Sequence, residues 1–280
     1  MHRHLIDIAD VSLGDIDHIF AMADEGPRPT ALSGRTCLTA FFQESTRTRL
    51  GFSSAAARQG AGVIDVGGTE RLRLEPAADQ AMVLATMADI AVVRHWDARF
   101  VHDVASRGAC SVVNAGAGSS SHPTQSIIDA YVLMKAFSHD IDGLRVLFLG
   151  SLLRSAVSFR ALAAILGIEM LQHDLPEHMP SQDRAHCRAL LASADVVYIQ
   201  SMSDTAYDRP QLTDGRTGRA LPPWAIDAIL DADAFVMHAL PRGPELPDGL
   251  MWHERSLVTR QVEQGMAVRS ALLRWLVESA

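Results

Sequence analysis

The run FFQESTRTRLGF, residues 41–52, leaves an apolar segment and sets Ser45, Thr46, Arg47 and Thr48 side by side, with Arg49 behind them. Hydroxyls and guanidinium groups are hydrogen-bond donors, and so tight a cluster suits an anion. Ser45 stands where a helix N-cap is expected, so the free N–H groups of the first turn and the helix dipole aim at the same place. Arg47 offers a planar fork for phosphate, and Ser45, Thr46 and Thr48 add donors. Taken alone, the run fits an ordinary capped helix with solvated arginines about as well, because helix N-termini are generic anion sites. A second cluster lies in NAGAGSSSHPTQSIIDAY, residues 114–131. His122 and Gln125 stand three apart across a turn begun by Pro123, so both project from it toward one place. Gly116, Gly118 and the serines before His122 make a loop that lets a ligand approach the backbone closely.

These clusters must be positioned by regular elements, and the sequence alternates short β-rich runs with longer helical patterns. Strands are predicted at 36–42, 62–67, 89–95 and 110–116, with helices at 46–60, 76–88 and 123–137. After residues 139–143 the pattern restarts, with strands at 144–150, 168–174, 195–200 and 234–240 and helices at 152–167, 181–194, 223–230 and within 259–280. A polar loop fills 201–222. Apolar strands separated by helices imply parallel sheets covered on both faces. The expected fold is therefore α/β, with two doubly wound parallel-sheet domains joined by the helix at Pro123. In such sheets ligands bind beyond the carboxyl ends of the strands. Ser45–Thr48, Arg94-His95, Asn114–Gln125, Ser151–Arg154, Ser201–Ser203 and Ala239–Arg242 all fall there.

With 280 residues, 48% hydrophobic and 21% charged, the chain has material for a sizeable core. A net charge of −8 argues against a nucleic-acid partner met through a broad basic surface. Anion binding therefore rests on local arginines, and Lys135 is the only lysine. Cys37, Cys110 and Cys187 are odd in number and widely spaced, and read as reduced structural thiols rather than zinc ligands or disulfides. The N-terminal MHRHLIDIADVSLGD has no apolar signal-peptide core, and no apolar stretch reaches membrane-spanning length. A soluble, cytoplasmic protein with no membrane partner is expected.

Ser45-Thr46-Arg47-Thr48-Arg49, Arg94-His95, His122-Pro123-Thr124-Gln125 and His238-Ala239-Leu240-Pro241-Arg242 occur in the order and rough spacing of the aspartate/ornithine carbamoyltransferases. The chain resembles that family over essentially its whole length, most nearly the aspartate carbamoyltransferase catalytic chain. The resemblance implies that Ser45, Thr46, Arg47 and Thr48 hold the phosphate of carbamoyl phosphate, with Arg94 reaching the same ligand. Thr48, Arg94 and His122 then face the carbamoyl oxygen, where preorganised donors are worth about 3 kcal/mol each. Gln125 and the carbonyl of Leu240, in a cis peptide with Pro241, orient the carbamoyl NH2. The leaving phosphate is the implied proton acceptor, and neither a metal nor another cofactor is expected. The resemblance further implies a homotrimer in which a neighbouring subunit's loop, carrying Thr69 and Arg73, completes each site. A carbamoyl-phosphate domain at 1–122 plus 264–280, with the terminal helix packing back on it, and an acceptor domain at 123–263 complete the expectation.

Some positions depart from the family. Its loop lysine is Arg73 here, with Arg71 an alternative, and a planar fork does not replace a point charge neutrally. Gln43 stands for the glutamate usual after the two phenylalanines, and Ala239 for the cysteine of ornithine enzymes. Arg154 matches the arginine that takes an α-carboxylate. Ser201 and Ser203 occupy the positions where aspartate enzymes carry an arginine and a glutamine for the side-chain carboxylate. A missing guanidinium there costs about 3–5 kcal/mol if that carboxylate is desolvated. The polar loop holds Arg209, Arg216 and Arg219, which either replace the lost charge or are simply solvated. The acceptor is thus a small carboxylate-bearing amino acid, aspartate or a relative. A noncatalytic homologue serving as a trimeric scaffold for a partner enzyme is the alternative. The presence of Arg47, Thr48, Arg94, His122 and Gln125 together favours the enzyme. A dinucleotide-binding enzyme is excluded, since no G-x-G-x-x-G follows the first strand.

Overall fold

A computed structural model describes residues 2–66, 74–118, 121–150, 154–176, 179–200, 202 and 219–278. In chain order the first part holds β1 (His4–Leu5), α1 (Leu13–Glu25), β2 (Thr36–Phe41), α2 (Thr46–Arg58) and β3 (Gly62–Val66). It continues with α3 (Ala77–Thr86), β4 (Ile90–Arg94), α4 (Ala98–Ser106), β5 (Ser111–Asn114) and α5 (Pro123–Ala136). The second part holds β6 (Arg145–Leu149), α6 (Arg154–Leu166), β7 (Glu169–His173), α7 (Ser181–Ser193) and β8 (Val196–Ile199). It ends with α8 (Pro223–Asp231), β9 (Phe235–Met237), α9 (Asp248–Met251) and α10 (Val258–Val277).

The strands form two parallel sheets, ordered β1-β5-β4-β2-β3 and β7-β6-β8-β9, as the alternating pattern predicts. β4, sequence IAVVR, is buried at every position, the signature of a strand covered on both faces. β1, α1, α4 and α9 add to the predicted set. Ser12 and Asp15 cap α1 reciprocally: Ser12 N–H donates to Asp15 Oδ2 at 2.9 Å and Asp15 N–H to Ser12 Oγ at 3.2 Å. β1 extends the first sheet by only two residues, too few for any periodicity to show.

α5 links the sheets and is buried nearly all round, from Pro123 through Met134 with Gln125 half exposed. A helix without a polar face belongs between two layers rather than on a surface. One apolar core runs through it, from Ile16, Phe52 and Val92 on one side to Phe148, Phe159 and Tyr198 on the other. α10 returns to pack on α1, α2 and α5. Trp275 Nε1 donates to Asp15 Oδ1 at 3.0 Å, and Arg274 pairs with Glu25 at 2.8 Å. Among the described residues no helix is long and apolar enough to cross a membrane.

Candidate active site

Each described cluster follows the carboxyl end of a strand, because βα connections in parallel sheets emerge there. Ser45 is the N-cap of α2 in extended backbone, but its side chain does not cap the helix. Its Oγ donates instead to Thr48 Oγ1 at 3.0 Å, so the two hydroxyls are locked together and the first-turn N–H groups keep no acceptor from Ser45. Thr48 is buried, whereas Thr46 and Arg47 are exposed. Enough protein still crowds the Arg47 guanidinium for desolvation to pull its pKa below the ordinary arginine value. Arg49 leaves the cluster: its Nε lies 2.8 and 2.9 Å from the two carboxylate oxygens of Asp65 on β3.

Arg94 ends β4, is buried, and donates from Nη1 to the Ala115 carbonyl at 2.9 Å. Gly116 stands against it with φ +108°; a Cβ there would sit 2.5 Å from Arg94 Nη1 and 3.3 Å from His122 Cδ2. Glycine at this point is what lets Arg94 and His122 meet. His122 is the N-cap of α5, its backbone N–H donating to Ser158 Oγ at 2.8 Å and its Nδ1 lying 3.3 Å from Thr124 Oγ1. His95, next to Arg94, stacks on Phe100 at 4.2 Å and meets Phe42 edge-on at 5.0 Å, which makes it part of the scaffold.

A buried chain of hydrogen bonds joins Gln125 to the loop after β9. Gln125 Nε2 donates to Asp129 Oδ1 at 2.8 Å, one turn further along α5. Asp129 also accepts from Gln261 Nε2 at 2.7 Å and from the Tyr198 hydroxyl at 2.8 Å. Gln261 Oε1 accepts the His238 backbone N–H at 3.1 Å. His238 Nδ1 accepts the Leu240 N–H at 2.8 Å, so Nε2 is the nitrogen that carries hydrogen and donates to Glu245 Oε1 at 3.0 Å. Burial pushes the Glu245 carboxyl up, but His238 and the Gly243 N–H outweigh it and hold the pKa below the usual value. Leu240 has φ +50° and its bond to Pro241 is cis.

Burial pushes the Asp129 carboxyl up from 3.8 to about 7, against the pull of its Gln261, Gln125 and Tyr198 hydrogen bonds and of the Arg269 charge. A folded pKa above the unfolded one means that folding takes up a proton between about pH 4 and 7. The stabilisation is complete below the unfolded pKa and is lost as pH rises through the folded one. Relative to Asp129→Asn, which does not titrate, the wild type is expected to lose stability across that window, by on the order of 1 kcal/mol per pH unit. Denaturation midpoints of both proteins between about pH 4 and 8 check this, and parallel curves would refute the raised pKa.

Asp129, Gln261, Tyr198 and Arg269 escape the motif-based reading. Arg269 lies on α10, buried, with its guanidinium 2.9 Å from where a Cβ on either Gly51 or Gly265 would sit and 5.7 Å from the Phe52 ring centre. Desolvation first, and then the charge of Arg47, bring its pKa down to about 10. Two cations thus share the neighbourhood of the α2 N-terminus, an arrangement that an anion relieves. The signals were a lone Asp inside the apolar stretch SIIDAYVLM and a lone Arg inside GMAVRSALL. Thr69, Arg73, Ser201 and Ser203 lie outside the described residues, as does the side chain of Arg154. Arg209 and Arg216 do too, while Arg219 is half buried.

Two parallel sheets with polar, donor-rich loops at the ends of their strands define an α/β fold whose strand ends suit an anionic ligand. Residues 3–135 match the model of the aspartate/ornithine carbamoyltransferase carbamoyl-P binding domain, and residues 177–276 that of the Asp/Orn binding domain. The chain is 33% identical over 301 residues to the aspartate carbamoyltransferase catalytic subunit of Sphingopyxis alaskensis, covering 97% of this chain and 86% of that one. Ornithine carbamoyltransferase from Pyrococcus furiosus shares the fold with a TM-score of 0.80 at 24% identity, covering 97% and 96% of the two chains. Aspartate transcarbamoylase from Trypanosoma cruzi, solved with carbamoyl phosphate, superposes with a TM-score of 0.80 at 22% identity, covering 99% and 96%. The chain belongs to the aspartate/ornithine carbamoyltransferase family and is a carbamoyltransferase.

Proposed function

We propose that the chain moves the carbamoyl group of carbamoyl phosphate onto the amine of a small carboxylate-bearing amino acid, aspartate or a related acceptor, and releases phosphate. The observation that carries this reading is the meeting of Arg94 and His122 across Gly116, beside a buried path from Gln125 to Leu240. The N-terminal turn of α2, with Ser45, Thr46, Arg47 and Thr48, receives the phosphate. Thr48, Arg94 and His122 donate to the carbonyl oxygen as it gains charge. Gln125 and the Leu240 carbonyl, before Pro241, hold the NH2. The amine lone pair attacks the carbonyl carbon, and the C–O bond to phosphate breaks with its electrons going to phosphate. Phosphate also takes the proton that the amine gives up. Holding both substrates in attack geometry lowers the barrier further.

Arg154 takes the α-carboxylate of the acceptor, and Ser201 and Ser203 line the place of its side chain. The proposed division is 1–122 plus 264–280 for carbamoyl phosphate and 123–263 for the acceptor. We assign the chain to a homotrimer in which Thr69 and Arg73 reach into a neighbour's site. This is supported by β3, an edge strand whose Val63 and Ile64 are 37% and 42% exposed. Three buried free cysteines suit the reducing cytoplasm. Purified protein with carbamoyl phosphate is expected to release phosphate only when a suitable member of an aspartate, ornithine and diamino-acid panel is added. Absence of turnover with every amine, from a folded trimer by sedimentation, would replace this reading with the scaffold.

A further inference from the structure

An amide presents an oxygen at one end and an NH2 at the other, and which end Gln125 turns to a ligand decides what it recognises. We infer that Asp129 is a positioning residue that holds the Gln125 amide with its carbonyl oxygen toward the cleft, selecting a donor that carries NH2 over one that carries methyl on the transferred carbonyl. This inference rests on the donor-site reading above and deepens it.

The two ends of an amide have nearly the same shape, so orientation follows from partners. The chain of partners starts at a group with one possible role. The His238 backbone N–H only donates, and it lies 3.1 Å from Gln261 Oε1, which must accept. Gln261 Nε2 is then the end that faces Asp129 Oδ1 at 2.7 Å and the Tyr198 hydroxyl at 3.5 Å. Asp129 Oδ1 is therefore an acceptor, and the second group upon it, at 2.8 Å, must be the NH2 of Gln125. With one N–H of its NH2 on the carboxyl, Gln125 turns that end of the amide to Asp129 and its Oε1 end away from it, and a carbonyl oxygen accepts from NH2 but not from methyl.

The same orientation survives protonation of Asp129 with the proton on Oδ2, whose partner, the Tyr198 hydroxyl at 2.8 Å, is able to accept as well as donate. The network has no room to turn. Asp129 is fully buried, Tyr198 is fully buried and stacks on Phe148 at 4.6 Å, and the partners come from α5, β8 and α10.

The test is binding, which needs no knowledge of the acceptor. Dissociation constants for carbamoyl phosphate and for acetyl phosphate, which carries methyl in place of NH2, are measured by calorimetry. The wild type is expected to prefer carbamoyl phosphate by about a hundredfold, roughly tenfold for each of the two carbonyl acceptors, Gln125 and Leu240. Asp129→Asn keeps an oxygen for both amides and a group for Tyr198, so it should keep that preference. Asp129→Leu, similar in shape but with no acceptor, should lose about tenfold of that preference and keep the part due to the Leu240 carbonyl. An Asp129→Leu protein that retains the wild-type preference overturns the inference and leaves the donor site standing, as does a wild type that binds both donors equally. A wild type that binds neither donor overturns both. Should Asp129→Leu fail to fold, side-chain NMR of the wild type decides. The Gln125 NH2 protons are expected to keep their hydrogen-bonded shifts when carbamoyl phosphate is added, and their release from the carboxyl would overturn the inference.

Discussion

Arg47→Ala is expected to lower affinity for carbamoyl phosphate by roughly 10²–10³-fold while leaving the fold intact. A guanidinium fork on phosphate makes two charge-assisted hydrogen bonds at about 1.5–3 kcal/mol each, and their loss reaches that range even after screening. The fold should not suffer. Arg47 is exposed, and its charge depresses the pKa of the buried Arg269, so its removal relieves a repulsion inside the protein. Titration with carbamoyl phosphate, beside a thermal melt, separates the two effects. Undiminished binding would remove α2 from the donor site.

His122→Ala is expected to act on rate instead of affinity. A donor aimed at the oxygen that gains charge contributes mainly in the transition state, and removing one costs about 10²–10³ in kcat. The His122 side chain does not cap α5, and Pro123 starts that helix independently, so its first turn should survive. Steady-state kinetics would show kcat falling with little change in KM. A raised KM with kcat unchanged would make His122 a ground-state binder and leave the carbonyl oxygen to Thr48 and Arg94.

Much of this molecule is legible along the chain, and the reasons differ from place to place. IAVVR reads as a doubly covered strand because four apolar residues in succession leave no solvent face, and β4 is buried throughout. Pro123 and the apolar run after it announce α5. The terminal helix is legible from its length, and its return to α1 and α2 follows from the family resemblance. α1 carried a signal in Ser12 and Asp15, whose reciprocal capping is local chemistry. The donor loops are legible because STRTR and HPTQ are contiguous. Asp129 is different: its meaning comes from Tyr198 and Gln261, which lie 69 and 132 positions away and meet it only when β8 and α10 close on α5. Arg49 shows the reverse case. It belongs to the motif by sequence, yet β3 brings Asp65 beside it and takes it for structure.

The central claim is transfer of a carbamoyl group, and following the carbon itself tests it most directly. Carbamoyl phosphate labelled with 13C at its carbonyl is incubated with the protein and the amino-acid panel, and products are read by mass spectrometry. The predicted result is the label in an N-carbamoyl amino acid, formed mole for mole with phosphate and lost in Arg47→Ala. Label found only in bicarbonate, with no carbamoylated amine from any acceptor, would contradict it.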